Sequence, residues 1–185
     1  MGKFVKTIAL LVLLCVAIFS CVKKDLPAPF MTNEVGGNSK PQPIIAPCDS
    51  ILVLNQISTS TNIDGYNVFR VDGSLNDHFD YDEISLSHYS SSSKFYILLP
   101  NTSNYSGKKK YRLSDVSEPY KDIATLTHRT GQYFGYMTYY QASEGEIFVD
   151  YGNNKIMVSF CNVKVSTETS FHYLTGKVEV ANKDN

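Results

Sequence analysis

Glu146-Ile147-Phe148-Val149-Asp150-Tyr151-Gly152-Asn153-Asn154-Lys155-Ile156-Met157-Val158-Ser159-Phe160 is the stretch that decides the fold class. Ile147, Val149 and Tyr151 alternate with Glu146, Phe148 and Asp150, which is the period of a strand with one face buried. Gly152-Asn153-Asn154 then supplies residues that tolerate positive φ, as a tight hairpin requires. Lys155 to Val165 is the return strand, with Ile156, Val158 and Phe160 on one face.

The same period runs outward in both directions. Phe171 to Val180 reads as a last strand, bent at Gly176. Tyr133 to Tyr140 is an aromatic strand interrupted by Gly135. Further back, Ile84, Leu86 and His88 alternate with Ser85, Ser87 and Tyr89, and Phe95 to Leu99 is a continuous apolar run closed by Pro100. Tyr66 to Val71 alternates too, Tyr111 and Leu113 mark a short strand, and Ile51, Val53 and Ile57 are expected on one side of a first strand. Residues 101–107 read as a turn and 114–121 as a loop, with no helical period sustained. Thirteen Tyr and ten Phe without Trp suit strands and turns. Nine or ten short strands predict an all-β domain, an antiparallel sandwich or barrel, and the β-sandwich is the favoured form.

The domain is expected to span residues 48–185. Ahead of it, residues 22–47 carry Pro27, Pro29, Pro41, Pro43 and Pro47 with Gly36-Gly37 and read as a flexible tether. A coil of that length has an end-to-end distance of about 28 Å. Residues 1–20 have the anatomy of a signal peptide: a basic head at Lys3 and Lys6, then twelve apolar residues from Ile8 to Phe19. Such a run falls short of the roughly 20 residues a bilayer span needs.

Ser20-Cys21 closes that leader, and a small residue directly before a cysteine resembles the lipobox of bacterial lipoproteins. The resemblance implies cleavage before Cys21, a diacylglycerol on its thiol and a further acyl chain on its amine. Cys15 follows the bulky Leu14 and suits that cleavage less well. The mature chain would keep 165 of the 185 residues, with 15 basic and 18 acidic side chains. A net charge of −3 gives no electrostatic case for nucleic acid. Cys48 and Cys161 would remain as a single pair in an oxidising compartment. Bridged, they close a loop of more than a hundred residues, which the chain-entropy model values at about 4 to 5 kcal/mol. Two free thiols, one of them packed in the core, are the alternative.

Chemistry-bearing motifs are few. There is no Gly-x-Ser-x-Gly, His-Glu-x-x-His, P-loop, Cys-x-x-Cys or dinucleotide-binding glycine pattern. His78, His88, His128 and His172 are scattered, and their spacing asks for no zinc. Asp72, Asp77, Asp80, Asp82 and Glu83 form an acidic stretch. It lacks calcium-loop spacing and reads first as a solvated turn. Lys108-Lys109-Lys110 with Arg112 reads as a basic turn, solvated or touching anionic head groups. In the aromatic strand one set of side chains is expected in the core and the other outside, and Tyr136 and Tyr140 are taken as the exposed contact surface.

The segment from Gly145 to Val163, ending in Ser159-Phe160-Cys161-Asn162 and followed by Gly176-Lys177-Val178, resembles the close of small β-rich surface lipoproteins of Bacteroidota. Val22-Lys23-Lys24-Asp25 resembles in part the surface-export signal of that group. In those proteins a cysteine before the first strand often accompanies the Phe-Cys-Asn cysteine, the position Cys48 holds. Asp49-Ser50-Ile51 resembles their O-glycosylation acceptor, with Ser50 as the modified residue. The resemblance implies an anchored β domain on the outer membrane, facing the cell surface rather than the periplasm. It implies no activity, cofactor or metal. The expected function is a non-enzymatic domain that binds an envelope protein or a glycan, or serves as an accessory subunit. The alternative is a tethered glycan hydrolase using acids of the Asp72–Glu83 stretch.

Overall fold

The structure is a computed structural model and describes residues 44–101, 105–131, 136–152 and 154–181. These fall in one compact unit, Gln42–Asn185; the other unit, Met1–Pro41, lies outside the described residues, and with it Cys21 and most of the expected tether. The chain enters through a 3-10 turn, Asp49–Ile51. Ten strands follow: β1 Gln56–Ile63, β2 Tyr66–Asp77, β3 Tyr81–His88, β4 Lys94–Pro100, β5 Gly107–Leu113, β6 Ile123–Gly131, β7 Met137–Ala142, β8 Glu146–Tyr151, β9 Lys155–Ser166 and β10 Phe171–Ala181.

The all-β reading holds, but the sandwich is corrected to a closed β-barrel. β10 pairs with β9 along one edge and with β1 along the other, so the sheet runs β10-β1-β2-β3-β4-β6-β5-β8-β9 and back to β10, nine strands round. Period-two patterning is common to sandwiches and barrels; what separates them is the return of the last strand to the first, a pairing between residues more than a hundred positions apart.

One wall is built in two tiers. β6 pairs in parallel with β5 at Arg112↔Ile123 and Leu113↔Ala124, and antiparallel with β7 from Thr127 to Gly131. β9 pairs with β8 from Ile156 to Phe160 and with β7 only at Ser166 and Val165. β5 and β8 therefore fill the gap between β6 and β9 at one end, called lower here. β7 alone fills it at the upper end, where β6 finishes and β10 begins.

Inward rows make the core: Phe69, Val71 and Leu75 from β2, Ile84 and Leu86 from β3, Phe95, Ile97 and Leu99 from β4, Leu174, Val178 and Val180 from β10. The outward faces are mostly polar or half-buried, as in Tyr81-Glu83-Ser85-Ser87 of β3 and Thr175-Lys177-Glu179 of β10, with Val68, Met137, Tyr139 and Phe171 exposed among them. That is the reverse of a lipid-facing barrel, which is apolar outside and polar within.

Three local features set the register. Asp64 (φ 51°) and Gly65 (φ 87°) close the β1–β2 hairpin with two positive φ values, matching the twist of the flanking strands. In β9 two residues, Cys161 and Asn162, oppose Thr175 alone; Asn162 takes φ 51° and its N–H donates to Thr175 Oγ1 at 2.8 Å. This bulge switches the inward set from Ile156, Val158 and Phe160 to Val163 and Val165. It also leaves the Cys161 side chain near the surface. At Gly176 a Cβ would lie 2.9 Å from Phe160 Cζ and 3.0 Å from the Gln56 carbonyl, so β9, β10 and β1 approach too closely there for a side chain.

Ile51 and Val53, expected on the first strand, lie in the exposed approach to it; β1 starts at Gln56 and buries Ile57.

Candidate functional site

The upper end concentrates the chemistry. The inward row of β6 is Ala124, Leu126, His128 and Thr130, and that of β10 opens with His172. Strand alternation sends both imidazoles into the lumen from strands that are not sheet neighbours. They meet there, His128 Nδ1 to His172 Nε2, at 2.9 Å, and both are sealed from solvent, His128 at 0% and His172 at 1% exposure.

Burial pushes His128 down to about 3, with a smaller push from His172, and burial alone takes His172 down to about 4. Both rings are therefore neutral at pH 7, and one N–H donates to the other ring's lone pair. His128 Nε2 has no hydrogen-bond partner. Because an orphaned N–H is rarer than an unused acceptor, the favoured tautomer has His128 Nδ1–H donating and leaves Nε2 a bare lone pair.

Aromatic rings wall the pair. Phe95 stacks on His128 with centroids 4.3 Å apart, Phe69 meets the same ring edge-on, and Tyr140 meets His172 edge-on at 4.5 Å. His88 on β3 packs against Phe69 and Tyr66, and its Nδ1 lies 3.1 Å from Ser91 Oγ. Ser91 Oγ in turn accepts the Ser93 N–H, so this is a local brace of the β3–β4 loop. Three of the four scattered histidines thus gather at one end. Among the described residues no three His, Cys, Asp or Glu side chains are placed to hold a metal ion.

β7 has two faces. Tyr140, expected at the exposed surface, is half-buried on the inside against His172. Tyr136, just ahead of the strand, is 74% exposed, and the outward positions of β7 itself are Met137 and Tyr139. The two tyrosines therefore do not share a surface; Tyr139, not Tyr140, lies outside with Tyr136. Tyr133 and Phe134 lie outside the described residues.

The lower end is polar in a different way. Tyr111 and Tyr151 share a 2.6 Å hydroxyl–hydroxyl hydrogen bond inside the barrel, and burial raises both phenols above their ordinary range. Asp82 points into this end and adds to the rise at Tyr151. Its neighbour Glu83 lies on the opposite face of β3 and accepts from Asn76 Nδ2. These two acids of the acidic stretch therefore do not face each other.

The stretch read as a basic turn is strand β5. Its lysines are answered across the sheet, Lys108 by Asp150 at 3.7 Å, Lys109 by Asp122 at 3.3 Å and Lys110 by Glu146 at 2.9 Å. They form ion pairs with neighbouring acids rather than an unpaired cationic patch.

Cys48 and Cys161 form the expected disulfide. It clamps the segment Ile44–Leu54 to the outside of the barrel at the β9 bulge, helped by the buried Ala46 and by Lys177 Nζ to Asp49 at 2.8 Å. An open groove of about 260 Å³ lies beside this arm, floored by Phe148 and Met157. Ser50 is exposed on the arm.

β6 escaped the sequence reading, in which His128 is only one of four scattered histidines. The available signal was Ile123 with Thr125, Thr127 and Thr130, all β-branched. Comparison with protein-family models, curated proteins and solved structures finds no match to this chain. Fold and geometry define a class only: a closed β-barrel with a polar exterior and a disulfide-clamped N-terminal arm.

Proposed function

We propose that this protein is a lipid-anchored lipoprotein of the bacterial outer membrane, facing outward, whose barrel binds an envelope protein or a glycan and catalyses no reaction. The observation that carries the reading is the Cys48–Cys161 disulfide, which suits an oxidising compartment beyond the cytoplasm. It agrees with a leader over residues 1–20, cleaved before Cys21. Two or three acyl chains on Cys21, at about 0.8 kcal/mol per buried methylene, hold the protein at a bilayer. Among the described residues no helix is long and apolar enough to cross one. Confinement near the membrane raises effective concentration, so a modest contact suffices. The contact surface is the outward side of the aromatic strand, Tyr136, Met137 and Tyr139.

The test is metabolic labelling with an alkynyl fatty acid, read together with fractionation. Wild-type protein is expected to carry label and sediment with outer membranes. Cys21→Ser is expected to lose the label and become soluble. A Cys21→Ser protein that stays embedded in the outer membrane overturns the anchoring. Replacing Tyr136 and Tyr139 together by Ser is expected to deplete the neighbours cross-linked in intact cells while thermal stability stays near wild type. An unchanged set of neighbours removes that strand as the contact.

A further inference from the structure

We propose that the upper end of the barrel is an acid-operated opening: protonation of the His128–His172 pair parts β7 and the end of β6 from β9 and β10 and uncovers Phe69 and Phe95, while the lower end stays closed. This goes beyond the binding role and does not depend on lipid anchoring.

The pair is a cross-brace. β6 and β10 are not neighbours in the sheet, so the imidazole–imidazole bond ties opposite walls through the lumen. It needs one ring nitrogen to donate and one to accept. When both rings are protonated every ring nitrogen is a donor, the bond is lost, and two positive charges stand 2.9 Å apart in a dry site.

Among the described residues nothing nearby compensates. The groups packed around the pair are Phe69 from β2, Phe95 from β4 and Tyr140 from β7. Next to these stand Tyr66 and His88, and His88 would add positive charge of its own. Arg129, the neighbour of His128 on β6, lies over the Tyr96 ring. The carboxylate of Asp64 accepts from Ser92 and Ser93 in the adjoining turns. Among the described residues only burial and, for His128, the partner ring act on the two histidines.

The wall beside the brace is also thinly secured, with two paired positions, as at the β5–β6 seam of the lower end. β7 meets β9 at two positions, Gln141↔Ser166 and Ala142↔Val165, and above them it is paired with β6 alone. Parting this wall breaks few ladder bonds. The lower end is tied by the Tyr111–Tyr151 bond, whose phenols do not change charge in acid, and it also holds the carboxylate of Asp82.

The sign follows from linkage. Both rings take protons near 6.5 when exposed, but only at about 3 and about 4 when enclosed. The closed form is thus fully favoured above pH 6.5 and loses ground as pH falls toward 4. Between pH 6.5 and 4.5 the opening equilibrium rises about fortyfold to fiftyfold if one ring is freed and about two-thousandfold if both are.

Amide hydrogen exchange at pH 7 and 4.5, each corrected for intrinsic rates, tests this on the intact domain. The expected result is loss of protection by about fiftyfold or more in 127–131, 137–142 and 171–174, with 107–113 and 146–151 unchanged. His172→Gln, which keeps a neutral hydrogen-bonding group and leaves His128 as the one titrating ring of the pair, is expected to cut the acid response to the one-ring value. A uniform change, no change, or an undiminished response in His172→Gln overturns the proposal. Imidazole ¹⁵N shifts of the wild type give a second reading that needs no variant. Both rings are expected to stay neutral at pH 5 while the end is closed, and a protonated ring in a closed barrel at that pH overturns the mechanism.

Discussion

At Gly176 an added methyl group has no room, because one of its neighbours would be the Gln56 carbonyl, a backbone atom that cannot swing aside. Gly176→Ala is therefore expected to cost about 1–3 kcal/mol, the range for overpacking a tight core. A denaturant titration checks it, and a midpoint equal to wild type refutes the close approach. Asn162 poses the opposite demand. Its φ of 51° suits Asn or Gly but strains a β-branched residue. Asn162→Gly is expected to stay near wild-type stability, whereas Asn162→Val falls by about 1–3 kcal/mol, the usual cost of a strained backbone position. Equal midpoints for the two variants show that the bulge does not depend on that conformation.

Among the elements, the clamped arm and β5 are held in contrasting ways. Replacing both Cys48 and Cys161 by Ser is expected to lower the unfolding free energy by about 2–5 kcal/mol, as loss of a long-loop bridge does. Lys110→Ala breaks an exposed pair and is expected to change it by less than about 1 kcal/mol. Chemical denaturation of both variants side by side checks the ranking. Legibility also varied by element. The β8–β9 hairpin could be read directly, because Ile147, Val149, Ile156 and Val158 put unbroken apolar rows on one face. β6 could not, because half of its inward row is His128 and Thr130, and a polar residue at an inward position looks like one at an outward position. The exposed side of β7 was misjudged for a related reason. Counting alternation from Tyr133 groups Tyr136 with Tyr140, but β7 begins only at Met137, so Tyr136 precedes the strand whose alternation Tyr140 follows. The bulge at Asn162 likewise reverses which residues face inward with no change in composition.

For the whole molecule, the two ends answer to opposite extremes of pH. The phenols of Tyr111 and Tyr151 are raised above their ordinary value near 10. Their contribution is complete below pH 10 and is lost as pH climbs beyond it, because the unfolded chain then ionises first. Stability measured at pH 8, 10.5 and 11.5 is expected to fall across that series, and Phe at both positions is expected to flatten the fall. An equally steep fall in the double variant places the alkaline sensitivity elsewhere. Neither end, nor the closure of the barrel itself, was open to a local reading, because each depends on residues brought together from distant strands.

The bridge between Cys48 and Cys161 also decides how the domain carries mechanical load. A pull on the arm passes through a covalent bond straight into β9 and bypasses the 113-residue separation between the two cysteines. At about 3.6 Å per residue, roughly 400 Å of chain is withheld from extension until the sulfurs part. Drawn taut from outside, the barrel would yield only its last strand and a half.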